Sequence, residues 1–206
     1  MSTESLVTLQ QAFDERRSIY DLGSDLPVEP QAIVNMAERV LLHTPSAFNS
    51  QSSRLVVLFG EQHQQLWDIT EEKLREAVGD GDFSSSKQKL DGFRAAAGTI
   101  LFYEDKNVTK SLQEKFALYA DKFPVWAQHT SAMHQYAMWT ELRTLNVGAN
   151  LQHYNPLVDE EAAAAFAIPE SWELVAQMPF GSIGEPAGEK SYQLVSERMK
   201  VLGLGS

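Results

Sequence analysis

The chain has no cysteine among its 206 residues. Disulfides, thiolate nucleophiles and zinc–thiolate sites are therefore excluded. Basic residues are also scarce: 17 lysines and arginines stand against 28 aspartates and glutamates, a formal net charge of −11. Such an acidic body repels nucleic acid and anionic membranes at long range, and no basic stripe interleaved with aromatics offsets it. Neither is an expected partner. No run of about 18 apolar residues is present to span a bilayer. Met1-Ser2-Thr3-Glu4-Ser5 lacks the basic-then-apolar pattern of a signal peptide. The expected location is cytoplasmic.

Familiar motifs are missing too. No Gly-x-Gly-x-x-Gly follows a strand, and there is no phosphate loop. His63, His129, His134 and His153 do not fall into a metal-ligand pattern with carboxylates, since His129 and His134 are five residues apart rather than four. No metal is expected. No repeat or low-complexity linker divides the chain.

What is present fits one soluble domain over residues 1–206, with 43% hydrophobic and 22% charged residues. Leu6, Leu9 and Phe13 suggest a short amphipathic helix ending near Arg16 and Arg17. Ile33, Ala37, Val40 and Leu41 follow helical spacing over 30–43, opened by Pro30 where the missing N–H costs nothing. Arg54–Phe59 and Thr99–Tyr103 read as strands, and so does Trp172–Met178. Helical spacing returns over 62–78, 87–96, 107–123, 125–146 and 158–167, with Gly148 expected to end the longest helix. Residues 79–86 and 179–188 read as loops, the latter rich in glycine and proline. Val195–Leu202 reads as a final strand or an extended tail. Many helices and few strands give an α+β class.

One stretch stands out: Thr44-Pro45-Ser46-Ala47-Phe48-Asn49-Ser50-Gln51-Ser52-Ser53-Arg54. Small hydroxyl and amide side chains cluster between an amphipathic helix and an apolar strand. They offer donors and acceptors without bulk, which suits a flat polar ligand. Upstream, Arg16-Arg17-Ser18 could hold a phosphate through paired N–H groups. Two readings stand for each. The arginines are either phosphate ligands or solvated charges at a helix end; the serine-rich run is either a ligand wall or an ordinary capping loop.

Taken in order, these segments resemble the nitroreductase family. Arg16-Arg17-Ser18 is similar to its N-terminal Arg-x-Ser element, and Pro45-Ser46-x-x-Asn49-x-Gln51 to its second element. Asn146–Pro156 matches in position the helix-end segment beside the flavin, and Lys190 a late basic residue. With Asn-Leu-Gln-His-Tyr-Asn at 150–155, the likeness is closest to a short subgroup that includes yeast-type and lactic-acid-bacterial enzymes. Three departures are visible. Tyr20 stands where a basic residue is common and Ser52 where proline is common, and the helix-end segment lacks the usual glycines.

The resemblance implies a central, mostly antiparallel sheet surrounded by helices, in an intertwined homodimer with FMN at the subunit interface. It implies hydride transfer from NADH or NADPH through the flavin to nitroaromatics, quinones or other small-molecule electron acceptors, with ping-pong kinetics. With no Rossmann motif, the nicotinamide would bind transiently on the flavin. Arg16, Arg17, Lys190 and Arg198 become phosphate candidates, Ser18 and Ser46 ribityl contacts, and Asn49 and Gln51 partners of the ring's polar edge. Arg17, with Lys89 second, would stabilise the reduced pyrimidine side. Gln152 would contact the cofactor; His153 and Tyr154 would line its reactive face, His153 having a purely structural alternative. Phe93, Phe116, Phe123 and Trp126 are candidate pocket walls, with core packing as the alternative. A flavin-binding sensor with little turnover is the competing function.

Overall fold

The computed structural model describes residues 7–204, so Leu6 and the Met1–Ser5 segment lie outside the described residues. The chain runs α1 (Leu9–Glu15), β1 (Leu22–Gly23), α2 (Pro30–His43), β2 (Ser53–Phe59), α3 (Gly60–Val78), α4 (Ser84–Arg94), β3 (Gly98–Asp105), α5 (Lys106–Lys115), α6 (Phe123–Thr144), β4 (Gly148–Ala149), α7 (Asp159–Ala165), β5 (Trp172–Ile183) and α8 (Val195–Arg198). Single 3-10 turns occupy Ala47–Asn49 and Ala117–Tyr119. The strands pair in the order β1-β5-β3-β2, with β4 also on β5, and every ladder is antiparallel. The α+β expectation holds.

Strand β3 shows why the sheet is central. Its side chains alternate, as a pleated strand requires. Ile100 and Phe102 enter a core with Ile33, Met36 and Val40 of α2 and Met138 and Leu142 of α6. Leu101 and Tyr103 enter a second core with Leu66 and Trp67 of α3, Leu90 and Phe93 of α4, and Ala162 of α7. Helices thus cover both faces, and from Gly98 to Glu104 the strand is buried throughout. Helix α2 contributes its stripe Ile33, Met36, Ala37, Val40, the spacing of a single helical face.

Several boundaries differ from the sequence reading. Gly148 does not end α6; Asn146 does. Its φ of 58° is left-handed. Its N–H donates to the Arg143 carbonyl, and that of Val147 to the Leu142 carbonyl, which closes the last turn. Gly148 belongs to β4. Residues 179–183 are strand rather than loop, because Gly181 serves close approach instead of a turn: a Cβ there would fall on the Gly23 carbonyl oxygen. Ser84–Ser86 open α4, the Ser84 N–H donating to the Asp82 carboxylate at 2.9 Å. The final segment is no strand; Val195–Arg198 is one helical turn within an exposed stretch.

Candidate functional site

Arg16, Arg17 and Ser18 leave the end of α1 and run beside β4. Ser18 bridges Ala149, the Ile19 N–H donates to the Ala149 carbonyl at 3.0 Å, and Asn150 Nδ2 donates to the Ile19 carbonyl at 2.8 Å. Gln152 Nε2 donates to Asn150 Oδ1 at 2.8 Å. The first and third segments singled out in the sequence therefore meet.

The two arginines differ. The Arg16 guanidinium lies over the rings of Trp139 (4.5 Å) and Tyr136 (5.7 Å), both on α6. Its Nε is buried without an acceptor, and among the described residues no carboxylate pairs with Arg16. Arg17 donates to the Gly188 carbonyl at 2.8 Å. With Ser18, Tyr20, Asp21 and the chain from Glu185 to Glu189 it borders a cavity of ≈ 520 Å³.

The second segment is strained. Phe48, Asn49 and Gln51 all adopt left-handed φ, at 57°, 51° and 50°. A bulky residue such as phenylalanine rarely does so, and strain of this kind clusters at functional sites. Ser46 Oγ accepts the Gln51 N–H at 3.0 Å. The Asn49 and Gln51 side chains are exposed. Phe48 is the hub of an aromatic group: its ring lies 4.9 Å from Phe116, 6.2 Å from Tyr119, 5.4 Å from Phe123 and 5.9 Å from Trp126. Beside it Ala47, Trp126, His129, Thr130 and Met133 complete a cavity of ≈ 360 Å³. Sequence reasoning gave Phe48 no role, and only its place within the Ser/Asn run could have drawn notice to it.

One subunit does not unite these two sets. Arg16 rests on Trp139 and Phe48 on Trp126, thirteen residues apart on α6 or about 20 Å along its axis. Their cavities share no residue. Lys190 and Arg198 lie on the exposed terminal stretch; Lys190 directly follows Glu189 at the edge of the Arg17 cavity, with its Nζ over the Tyr192 ring at 5.1 Å. Lys89 is exposed on α4, one turn from Phe93, whose ring tilts against Tyr20 at 6.4 Å. His153 is exposed.

Two candidate wall residues, Phe93 and Phe123, are buried core, and Tyr154 is half-buried against it. Phe93 is buried against Trp67 at 4.9 Å. The Tyr154 ring also packs on Trp67, edge-on at 6.0 Å, and burial raises its phenol pKa. An apolar ring with a covered neighbour buries more area inside than at a cavity wall, which decides the place of Phe93.

Other titratable groups are structural or lie behind the strained loop. His63 Nε2 faces the Arg94 carbonyl at 3.2 Å and so carries the proton; Thr99 then donates to His63 Nδ1 at 2.9 Å and accepts from Trp67 Nε1 at 3.0 Å. Burial lowers the pKa of His63 and of His134. Glu71 is held down at about 2 by hydrogen bonds from Arg94 and Arg75 on the outer helices. Glu104 is buried beneath Ser52 and Ser53, and burial raises its carboxyl pKa. No cluster of potential metal ligands exists among the described residues, nor any helix long and apolar enough to cross a membrane.

This arrangement has known counterparts. The sequence profile described as the Nitroreductase family matches residues 14–182. HBN1 of Saccharomyces cerevisiae is 36% identical over 190 residues, covering 91% of this chain and 94% of that protein. The nitroreductase FRM2 of the same yeast is 35% identical over 173 residues, covering 82% and 85%. The nitroreductase CinD from Lactococcus lactis superposes with a TM-score of 0.88 at 44% identity, over 95% of this chain and 100% of its own. CinD structures are described in complex with nicotinic acid, chloramphenicol and 4-nitrophenol. With the profile spanning both arginine and amide segments, the chain belongs to the nitroreductase family, a family of oxidoreductases.

Proposed function

We propose that the protein is an FMN-dependent oxidoreductase using NADH or NADPH to reduce nitroaromatic, quinone or similar small-molecule acceptors in a ping-pong cycle. The observation that carries this reading is Arg16. In a chain with a net charge of −11, this guanidinium is paired with no carboxylate among the described residues and keeps a buried, unsatisfied Nε. A buried donor without an acceptor costs free energy unless a ligand supplies one. A phosphate is such an acceptor, so these residues fit FMN, and the family is generally flavin-dependent.

When bound, the flavin supplies the hydride chemistry, taking two electrons and a proton from the nicotinamide and passing them to the acceptor. The chain's residues bind and orient. Arg16 meets the phosphate, with Arg17 close by to balance negative charge on the pyrimidine side. Ser18 and Ser46 serve the ribityl hydroxyls. The Asn49 and Gln51 amides match the carbonyls and N–H of the ring edge. Lys190 and Arg198 add cationic contacts from the terminal stretch. Gln152 is held beside Arg16–Ser18 by its bond to Asn150, and exposed His153 lines the open face. The aromatic group around Phe48 supplies flat walls for an aromatic acceptor; the similarity to CinD, crystallised with 4-nitrophenol, supports that substrate class.

The same reading makes the protein a homodimer. Phosphate and amide sets that face different cavities in one subunit come together when each flavin lies between two copies. Exposed apolar residues support this: Leu9, Phe13, Met133 and Tyr136 on α1 and α6, and Leu194, Met199 and Leu202 on the terminal stretch. Such patches mark interfaces.

The test is anaerobic mixing of FMN-loaded protein with NADH and, separately, NADPH, followed by a panel of acceptors. Flavin absorbance should bleach within seconds to minutes and return on adding 4-nitrophenol or a quinone. Purified protein that neither contains nor takes up FMN defeats the reading; bound flavin that stays oxidised leaves a binding protein rather than an enzyme.

A further inference from the structure

The turn bearing Asn49 and Gln51 is held in a conformation that Phe48 and Gln51 do not favour. Of three left-handed, non-glycine residues within four positions, Asn49 tolerates the region, while Phe48 and Gln51 cost roughly 1–3 kcal/mol each, so the surroundings must over-determine the turn. Its N-terminal side is tied by the Gln51 N–H to Ser46 Oγ bond described above. Its C-terminal side is tied by residues that the cofactor assignment leaves without a role.

Arg54 is the first. One guanidinium nitrogen donates to the Gln51 carbonyl at 2.7 Å and to the Ser53 carbonyl at 3.0 Å. The other donates to the Asp105 carboxylate at 3.0 Å. The group also lies 5.7 Å from the centre of the Trp172 ring. Asp105 and Trp172 are cross-strand partners on β3 and β5, so the clamp is anchored in the sheet. Glu104 is the second. Ser52 and Ser53, both buried, donate their hydroxyls to its two oxygens at 2.6 and 2.5 Å. The Asp105 N–H closes the set on the Ser52 carbonyl at 2.9 Å. A proline at position 52 has no hydroxyl for Glu104, so the departure from the family pattern is matched here by a buried acceptor.

We propose that Arg54 and Glu104 are positioning residues: without touching the cofactor, they lock Gln51 in its left-handed conformation and so pre-form the Asn49–Gln51 amide pair. This rests on the FMN reading above. Prior fixing of the turn removes an ordering cost that binding would otherwise bear.

The experiment compares parent, Arg54→Met, Arg54→Lys and Glu104→Gln. Arg54→Met keeps the stem and deletes the fork; Arg54→Lys keeps a charge for Asp105 but not the forked geometry. Three quantities are measured: hydrogen exchange at the Gln51 amide in FMN-free protein, FMN affinity by fluorescence quenching, and the absorbance bands of the bound flavin. Arg54→Met should speed Gln51 exchange and weaken FMN binding, each about tenfold. Its bound flavin should show altered bands, and Arg54→Lys should lie between it and the parent. Glu104→Gln should act in the same direction; if it fails to fold, Arg54→Met alone decides. Variants that bind FMN as the parent does overturn the proposal. So does weakened binding with Gln51 exchange unchanged, which places the effect elsewhere. A parent that takes up no FMN sinks the cofactor reading and the positioning role with it; that failure shows before any variant is made, so the two are told apart.

Discussion

The guanidinium of Arg16 rests on the Trp139 ring at 4.5 Å, fixed in direction by a residue 123 positions later in the chain. The ring holds the cation by its face, and the buried Nε at the guanidinium's edge has no protein acceptor. Trp139 is itself pinned, its Nε1 donating to the Ala149 carbonyl at 3.2 Å.

Arg16→Ala should therefore cost more than Arg17→Ala. One or two charge-assisted hydrogen bonds correspond to roughly tenfold to a hundredfold in FMN affinity. Arg17 already donates to Gly188, so its loss should be milder. Fluorescence titration with FMN separates the two; equal affinity in Arg16→Ala and parent would remove Arg16 from the site.

Phe48→Ala should raise KM for aromatic acceptors several-fold and leave KM for the nicotinamide donor less affected. Phe48 is 52% exposed, so its truncation should cost well under the roughly 3–5 kcal/mol of a buried phenylalanine. Steady-state kinetics with 4-nitrophenol, paired with a denaturation midpoint, checks both halves. An unchanged acceptor KM would make the aromatic group packing alone.

Thr99→Val should be strongly destabilising although the residues are similar in size. The change leaves His63 Nδ1 and Trp67 Nε1 without partners, at about 1–3 kcal/mol for each buried group. Urea unfolding measures it. FMN affinity should hold, because this network lies beneath α3 and α4.

Stability should fall as the medium is acidified from about pH 7 towards pH 5, around the ordinary histidine range near 6.5. His63 and His134 have lowered pKa values in the fold, chiefly through burial. Below the unfolded value the unfolded chain takes up protons that the native state refuses, so stability present above it is lost as pH drops to the folded values. Glu104 has the opposite sign: its raised pKa favours the native state at low pH, a contribution lost as pH rises through the folded value. Melting temperatures should thus decline between about pH 7 and pH 5, and His63→Gln should flatten the decline. A flat profile in the parent would contradict the neutral, buried histidines.

How much of this was legible beforehand depended on the range of the interaction. Helix α2 was readable to its ends, since Pro30 and the Ile33–Val40 spacing are local signals. The termination of α6 at Asn146 was missed because glycine is the commoner left-handed stop, and here Gly148 is needed in a strand instead. The glycine-rich stretch after Met178 read as a loop for a similar reason: nothing in the sequence shows that Gly23 passes against Gly181.

By itself, the sequence determined the α+β class, the absence of thiol chemistry, and the family likeness carried by the arginine and amide segments, through composition, short-range spacing and the order of motifs. Tertiary structure decided where each group stands and what it touches. It freed Arg16 and engaged Arg17, because their partners Trp139 and Gly188 lie far along the chain. It buried Phe93, packed Tyr154 edge-on against Trp67 and brought four other aromatics round Phe48. It also supplied the clamp on Gln51, since Arg54 meets Asp105 and Trp172 only where β2, β3 and β5 lie side by side, and no local pattern records an antiparallel register.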